Sequence, residues 1–205
     1  MKVLVVTGGI GSGKSLVCSV LSSKYGIPVY EADKRAKELY VKVPSLLEEI
    51  EVALGVSLRN SDGRFVPAQL AEVIFSDASA LGMVEDILFP VLKKDFLMWA
   101  EKCDSSLVAF ESATVLEKPQ FDDFGDIVLL VNAPVSLRMQ RAMVRDGLTE
   151  EEIRSRMEAQ PLMNRLSSGC SHPRVDYVLD NVSSEDELLD KLADFIGNMS
   201  ITKKL

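Results

Sequence analysis

Gly8-Gly9-Ile10-Gly11-Ser12-Gly13-Lys14-Ser15 meets the pattern G-x-x-x-x-G-K-[ST] at each required position. The run before it, Lys2-Val3-Leu4-Val5-Val6-Thr7, is largely β-branched and apolar, as in a parallel strand buried on both faces. The run after it, Leu16-Val17-Cys18-Ser19-Val20-Leu21, continues without a breaker and predicts a helix. Strand, glycine loop and helix start are the setting in which successive loop N–H groups and a helix dipole face phosphate oxygens. Lys14 adds a mobile charge for β- and γ-phosphates, and the Ser15 hydroxyl suits a Mg²⁺ that bridges them. A tight glycine turn needs neither residue, so the stretch predicts a triphosphate site.

Working outward, Ile27-Pro28-Val29-Tyr30 reads as a second strand, with Asp33 between it and the helical run Lys34-Arg35-Ala36-Lys37-Glu38-Leu39. Asp33 fits an N-cap. It also stands past the carboxyl end of a parallel strand, where open sheets bind ligands. Further strands are expected at Ser106-Leu107-Val108-Ala109-Phe110, Gly125 to Asn132 and Val175 to Asn181. Asp126, at the far end of its strand from the nucleotide, reads as a turn residue. The chain between the second and third strands far exceeds the dozen or so residues of a parallel crossover, so it predicts an insertion. Its helical pieces are Pro44 to Ala53, Pro67 to Phe75 and Ser79 to Lys102, the last carrying an apolar stripe of Met83, Ile87, Leu88, Val91, Leu92, Phe96 and Trp99. The stripe reads as core, and Pro90 is expected to kink or shift that helix.

After the fourth strand, Ser136 to Asp146 is helical and carries Arg138, Arg141 and Arg145. Arg141 and Arg145 share a face, which is either solvated or a clamp for transferring phosphoryl groups. Thr149-Glu150-Glu151-Glu152 is a capping box, repeated as Ser184-Glu185-Asp186-Glu187. The polar run Asn164 to Gly169 is expected to be a mobile connection, His172 to lie in a turn, and the Ile201-to-Leu205 tail to be loose. The expected fold is α/β: a P-loop three-layer sandwich with a five-stranded parallel sheet, a helical acceptor-binding insertion and a helical lid. Residues 1–31, 104–135 and 174–205 are assigned to the core, 32–103 to the insertion and 136–173 to the lid.

The 205 residues, 47% hydrophobic and 26% charged, carry a net charge of −8, which argues against a nucleic-acid-wrapping surface. Cys18, Cys103 and Cys170 lack C-x-x-C spacing, so neither a disulfide framework nor a zinc site is expected. A single histidine excludes a histidine-based triad or metal cluster. The chain enters strand pattern at once and lacks any apolar segment of ~18 residues. A cytoplasmic protein without a membrane or nucleic-acid partner is therefore expected, as a monomer or weak homo-oligomer.

The residues resemble the dephospho-coenzyme A kinases, within the nucleoside-monophosphate-kinase-like group of P-loop proteins. The likeness spans nearly the whole chain. It rests on Thr7 to Ser15, Ala32-Asp33, Asp62-Gly63-Arg64 leading to Leu70 and Ile74-Phe75, Gln140-Arg141, Arg145-Asp146, Arg156, Gln160 and Asp176 to Asn181. Phe89-Pro90 stands where the family usually has His-Pro, so no role of that histidine transfers. In Ala113-Thr114-Val115-Leu116-Glu117 the usual Pro-Leu-Leu-x-Glu keeps its glutamate and lacks its proline. The resemblance implies ATP-dependent phosphorylation of the ribose 3′-hydroxyl of dephospho-coenzyme A. It implies nucleotide binding by Gly9, Gly11, Ser12, Gly13, Lys14, Ser15, Leu16 and Arg145, Mg²⁺ at Ser15, and catalytic roles for Asp33, Lys14 and Arg141. Two rivals remain at this level: another P-loop small-molecule kinase, and a nucleotide-gated switch that transfers no phosphate.

Overall fold

The structure, a computed structural model, describes residues 1–201, leaving aside the side chains of Phe75, Ser200 and Ile201. Residues 202–205 of the tail expected to be loose lie outside the described residues. The expected five-stranded parallel sheet is present, with helices around it. Its middle strand is β1 (Lys2–Thr7), paired in parallel with β3 (Leu107–Glu111) on one side and β4 (Ile127–Asn132) on the other. β2 (Val29–Glu31) lies beyond β3, and β5 (Tyr177–Asp180) beyond β4, giving the order β2-β3-β1-β4-β5. Asp126 closes the amino end of the sheet, its carboxylate accepting the Val3 N–H at 2.7 Å.

Two-residue alternation in the strands sends neighbouring side chains to opposite faces. On one face Leu4, Val6, Ala109, Leu129 and Val131 pack with Val17 and Leu21 of α1 (Lys14–Tyr25) and with Leu188, Leu192 and Phe195 of α9 (Glu185–Ile201). On the other, the Phe110 ring stacks on Tyr30 at 5.6 Å and meets Phe124 edge-on at 4.6 Å. The chain therefore leaves the central strand with its direction set by both faces, and the glycine loop follows at the strand's carboxyl end.

The chain divides into two compact units, Met1–Tyr30 with Ser105–Leu205, and Glu31–Asp104. The second unit is helical: α2 (Ala32–Lys42), α3 (Pro44–Leu54), α4 (Pro67–Ser76) and α5 (Ala78–Ala100). α3 and α5 pack together, burying Leu46, Leu47 and Ile50 with Leu88, Leu92 and Phe96, whereas Met83 of the expected stripe is exposed. α5 is continuous through Pro90. Pro90 and Asp86 are both exposed, so water can satisfy the carbonyl that proline cannot bond.

In the first unit α6 (Val135–Asp146), α7 (Glu150–Glu158) and α8 (Pro161–Ser167) follow β4. Thr149 forms the expected capping box, with Glu152 N–H donating to its Oγ1 and its own N–H donating to Glu152 Oε2. The second box is half made: Glu187 N–H donates to Ser184 Oγ, while the Glu187 carboxylate pairs with Lys191 at 2.7 Å. The run expected to be a mobile connection is corrected. Asn164 to Ser167 belongs to α8, whose Met163 and Leu166 are buried and whose polar side chains have an internal partner, described below. Among the described residues no helix is long and apolar enough to cross a membrane.

Phe110 joins the sheet to its aromatic cluster and is fully buried. Phe110→Ala is expected to lower unfolding stability by about 3–5 kcal/mol, read from the shift of the urea midpoint at unchanged slope.

Candidate active site

The glycine loop is compressed from outside by its own protein. Gly11 and Gly13 have φ of 75° and 103°, values that favour glycine. A Cβ on Gly11 would stand 2.0 Å from the Arg138 carbonyl oxygen, and one on Gly13 2.2 Å from Asn181 Nδ2. Gly9 is held for the second reason alone, since its Cβ would meet Arg138 Nη2 at 1.9 Å. Side chains are thus excluded on the side that packs against α6 and the end of β5, while within the loop the Ile10 N–H donates to Gln160 Oε1 and the Ser12 N–H to Gly9 O.

Gly13 is also the cap of α1, whose carbonyl accepts from Leu16 and Val17 N–H. The first N–H groups of a helix lack intrahelical acceptors and carry the positive end of its dipole. A cleft of about 270 Å³ opens there, lined by Gly11, Ser12, Gly13, Lys14, Ser15, Arg141 and Arg145. Lys14 lies over the loop, its Nζ donating to Gly8 O at 2.8 Å and standing 3.8 Å from Glu111 Oε1. Thr7 Oγ1, Ser12 Oγ and Arg138 Nη2 are buried without a hydrogen-bond partner. A polar loop with orphaned donors at a helix N-terminus is chemically fitted to an oxyanion.

Arg141 donates from Nη1 to Asn181 O at 3.0 Å and from Nη2 to Asn181 Oδ1 at 3.3 Å. Asn181 Nδ2 donates in turn to Ser12 O at 2.9 Å, so the arginine is tied to the loop through one asparagine. Arg145 grips Asp146 through both Nε and Nη2, and Arg156 reaches the same carboxylate at 3.4 Å. Its bond to Arg145 holds the Asp146 carboxyl below the usual range and raises the guanidinium.

The cleft brings together seven of the sequence-predicted residues. Gly9 and Leu16 do not line it: Gly9 packs on Arg138, and the Leu16 side chain packs against the α1 face of the core. Asp33 belongs to the other unit, in the first turn of α2. The N-cap of that helix is Glu31, so the capping alternative for Asp33 does not hold. Its side chain is exposed, and no hydrogen bond or ion pair engages it among the described residues.

Sequence reasoning missed three residues. Glu111 ends β3, one position past the strand read from sequence, and reaches Lys14 from the strand beside β1. Asn181 follows β5 and could have been found by the same strand-end rule. Arg138 shares spacing with Arg141 and Arg145 yet is fully buried. Among the described residues no group of three or more His, Cys, Asp or Glu forms a metal site. Ser15, which lines the cleft, offers a hydroxyl, a hard oxygen donor.

A sequence profile of the dephospho-CoA kinase family matches residues 2–187. The dephospho-CoA kinase of Porphyromonas gingivalis is 40% identical over 168 residues, 82% of each chain. That of Chlorobaculum tepidum is 34% identical over 189 residues, 89% of this chain and 88% of its own. Among solved structures, a Thermus thermophilus protein superposes with a TM-score of 0.79 at 27% identity, covering 96% of this chain and 97% of its own. The dephospho-CoA kinase of Campylobacter jejuni gives 0.66 at 20% identity, covering 98% of both, a likeness of fold.

Lys14→Ala removes the cation that donates to Gly8 O and stands 3.8 Å from Glu111 Oε1. It is expected to weaken nucleoside-triphosphate binding by about tenfold or more with little change in melting temperature, as read by calorimetric titration and a thermal scan.

Proposed function

Because the chain belongs to the dephospho-CoA kinase family, we propose that its loop, Lys14, Arg141 and Asp33 divide between them the work of one phosphoryl transfer. The reaction is the ATP-dependent phosphorylation of the ribose 3′-hydroxyl of dephospho-coenzyme A, giving coenzyme A and ADP, the final step of coenzyme A synthesis. The observation that carries the assignment of roles is the cleft in which Lys14, Ser15, Arg141 and Arg145 converge on the start of α1.

In this reading the loop N–H groups hold the β-phosphate. Lys14 leaves Gly8 O and follows the charge that develops on the β–γ bridging oxygen. Arg141, presented by α6, neutralises the equatorial oxygens of the transferring group, and Arg145 binds the nucleotide beside it. Magnesium, when bound with the triphosphate, supplies further neutralisation of the β- and γ-oxygens, and Ser15 is the residue that would hold it. Asp33 accepts a hydrogen bond from the acceptor's 3′-hydroxyl. As that oxygen bonds to the γ-phosphorus and the bond to ADP breaks, the proton passes to the Asp33 carboxylate. Such transition states are loose, so orientation of the hydroxyl weighs more than basicity.

We assign residues 32–103 to holding the acceptor and residues 136–173 to closing over the phosphates. Support for Asp33 comes from its place two residues past a strand of a parallel sheet and from its unengaged side chain. Cys18, Cys103 and Cys170 form no disulfide among the described residues, which fits a cytoplasmic enzyme.

Purified protein given Mg-ATP and dephospho-coenzyme A is expected to release ADP and to add one phosphoryl group to the acceptor, seen by mass analysis. ATP turnover without that product would refute the assignment. Asp33→Asn is expected to lower kcat by about 10²-fold or more while ATP affinity persists. Near-normal turnover would remove Asp33 from the chemistry.

A further inference from the structure

Arg138 lies on the side of α6 that meets the loop, and its side chain is fully buried. Its Nε donates to Ile10 O at 3.0 Å. Nη1 donates to Ser167 Oγ at 2.8 Å and, at 3.3 Å each, to Met163 O and Asn164 Oδ1. Nη2 has no partner. All of these acceptors are neutral oxygens, and among the described residues no carboxylate lies within 4.0 Å. Burial pulls the guanidinium down to about 10, which leaves it protonated at neutral pH. A whole positive charge is therefore held in the interior with no counter-ion among the described residues.

Buried charges are ordinarily paired, because an isolated one forfeits its hydration and gains no ionic partner. This one is placed where a partner arrives from outside. Nη2 rests on Gly9 so closely that any side chain there would displace it. Ile10 is pinned through both backbone groups, its carbonyl accepting from Arg138 and its N–H donating to Gln160 Oε1 at 2.9 Å. The guanidinium thus lies against the backbone of the phosphate loop and reaches back into α8.

We infer that Arg138 is a positioning residue whose uncompensated charge is matched by the phosphates of the bound nucleotide, acting through the loop rather than by touching them. The inference rests on the reading of Gly8 to Ser15 as the nucleotide site. Two consequences follow. The loop is held in shape by α6 and α8 before nucleotide arrives, and attraction across the poorly screened peptide layer grows with the charge of the ligand. A purely structural arginine gives the first consequence without the second.

The test is calorimetric titration of the full-length protein with ATP, ADP and AMP, for the native chain and for Arg138→Gln and Arg138→Lys. For Arg138→Gln the expected loss of affinity is about tenfold or more for ATP, smaller for ADP and smallest for AMP, with the acceptor KM within about twofold of native. Arg138→Lys, which keeps the charge and loses the fork, is expected to hold ATP affinity within about threefold. Equal losses for all three nucleotides, or no loss for ATP, would overturn the inference. Should Arg138→Gln fail to fold, Arg138→Lys decides: retention of ATP affinity supports the inference, and a loss above about tenfold shared by ATP and AMP overturns it. A native chain that binds no ATP overturns the reading of the loop as well, whereas native binding with charge-independent losses sinks this inference alone.

Discussion

The close approach of the loop backbone to Arg138 at Gly9 and Gly11 and to Asn181 at Gly13 is the constraint on which the site depends. Arg138 and Asn181 occupy the space where Cβ atoms would stand. The loop consequently has one side committed to the protein and one available to an anion. The usual account of such glycines, that ligand phosphates need room, is half of the matter here. Room is needed on the protein side too, because a guanidinium and a carboxamide hold the loop in place before any ligand binds.

That arrangement links elements far apart in the chain. β1 delivers the loop from the middle of the sheet, α6 supplies Arg138 and Arg141, and the end of β5 supplies Asn181. Gln160, between α7 and α8, and Asn164 and Ser167 of α8 complete the support. Ile10 packs among Ala142, Ile153 and Met157, so the tip of the loop is also an apolar part of the α6–α7 cluster. Helices assigned to closing over phosphates are therefore bonded to the loop at their base, while Arg145 and Arg156 share Asp146 near the surface. Two of the three α6 arginines engage the loop or its support, and the third the half-buried carboxylate of Asp146.

Much of the fold was legible because the signals were local. A short, largely β-branched apolar run reads as a strand buried on both faces when a glycine loop and a helix start follow it. The insertion was legible from length, since no parallel crossover requires so many residues. Failures came where polarity was taken as exposure. Asn164 and Ser167 looked like a solvated connection because their partner, a buried arginine 29 residues from Ser167, is invisible to any short window. Arg138 was read only as one of three arginines on its helix, and its burial was hidden for the same reason. Pro90 was expected to disturb its helix, and the solvent exposure that accommodates it is likewise a tertiary property.

By itself the order of amino acids determined the phosphate loop, the strand that carries it, the α/β class and, through motifs spread along the chain, membership of one kinase family. These follow from covalent neighbours: backbone conformations that favour glycine, a continuous apolar run that suits a strand buried on both faces, and a lysine and a serine at a spacing that serves phosphate. What tertiary structure alone decided was which polar residues face inward. Whether Arg138 is solvated or buried, whether Asn181 ends a strand or braces a loop, and whether Glu111 meets Lys14 all depend on distances between segments remote in sequence. Hydrogen bonds and desolvation act through space, and a linear reading does not contain those distances.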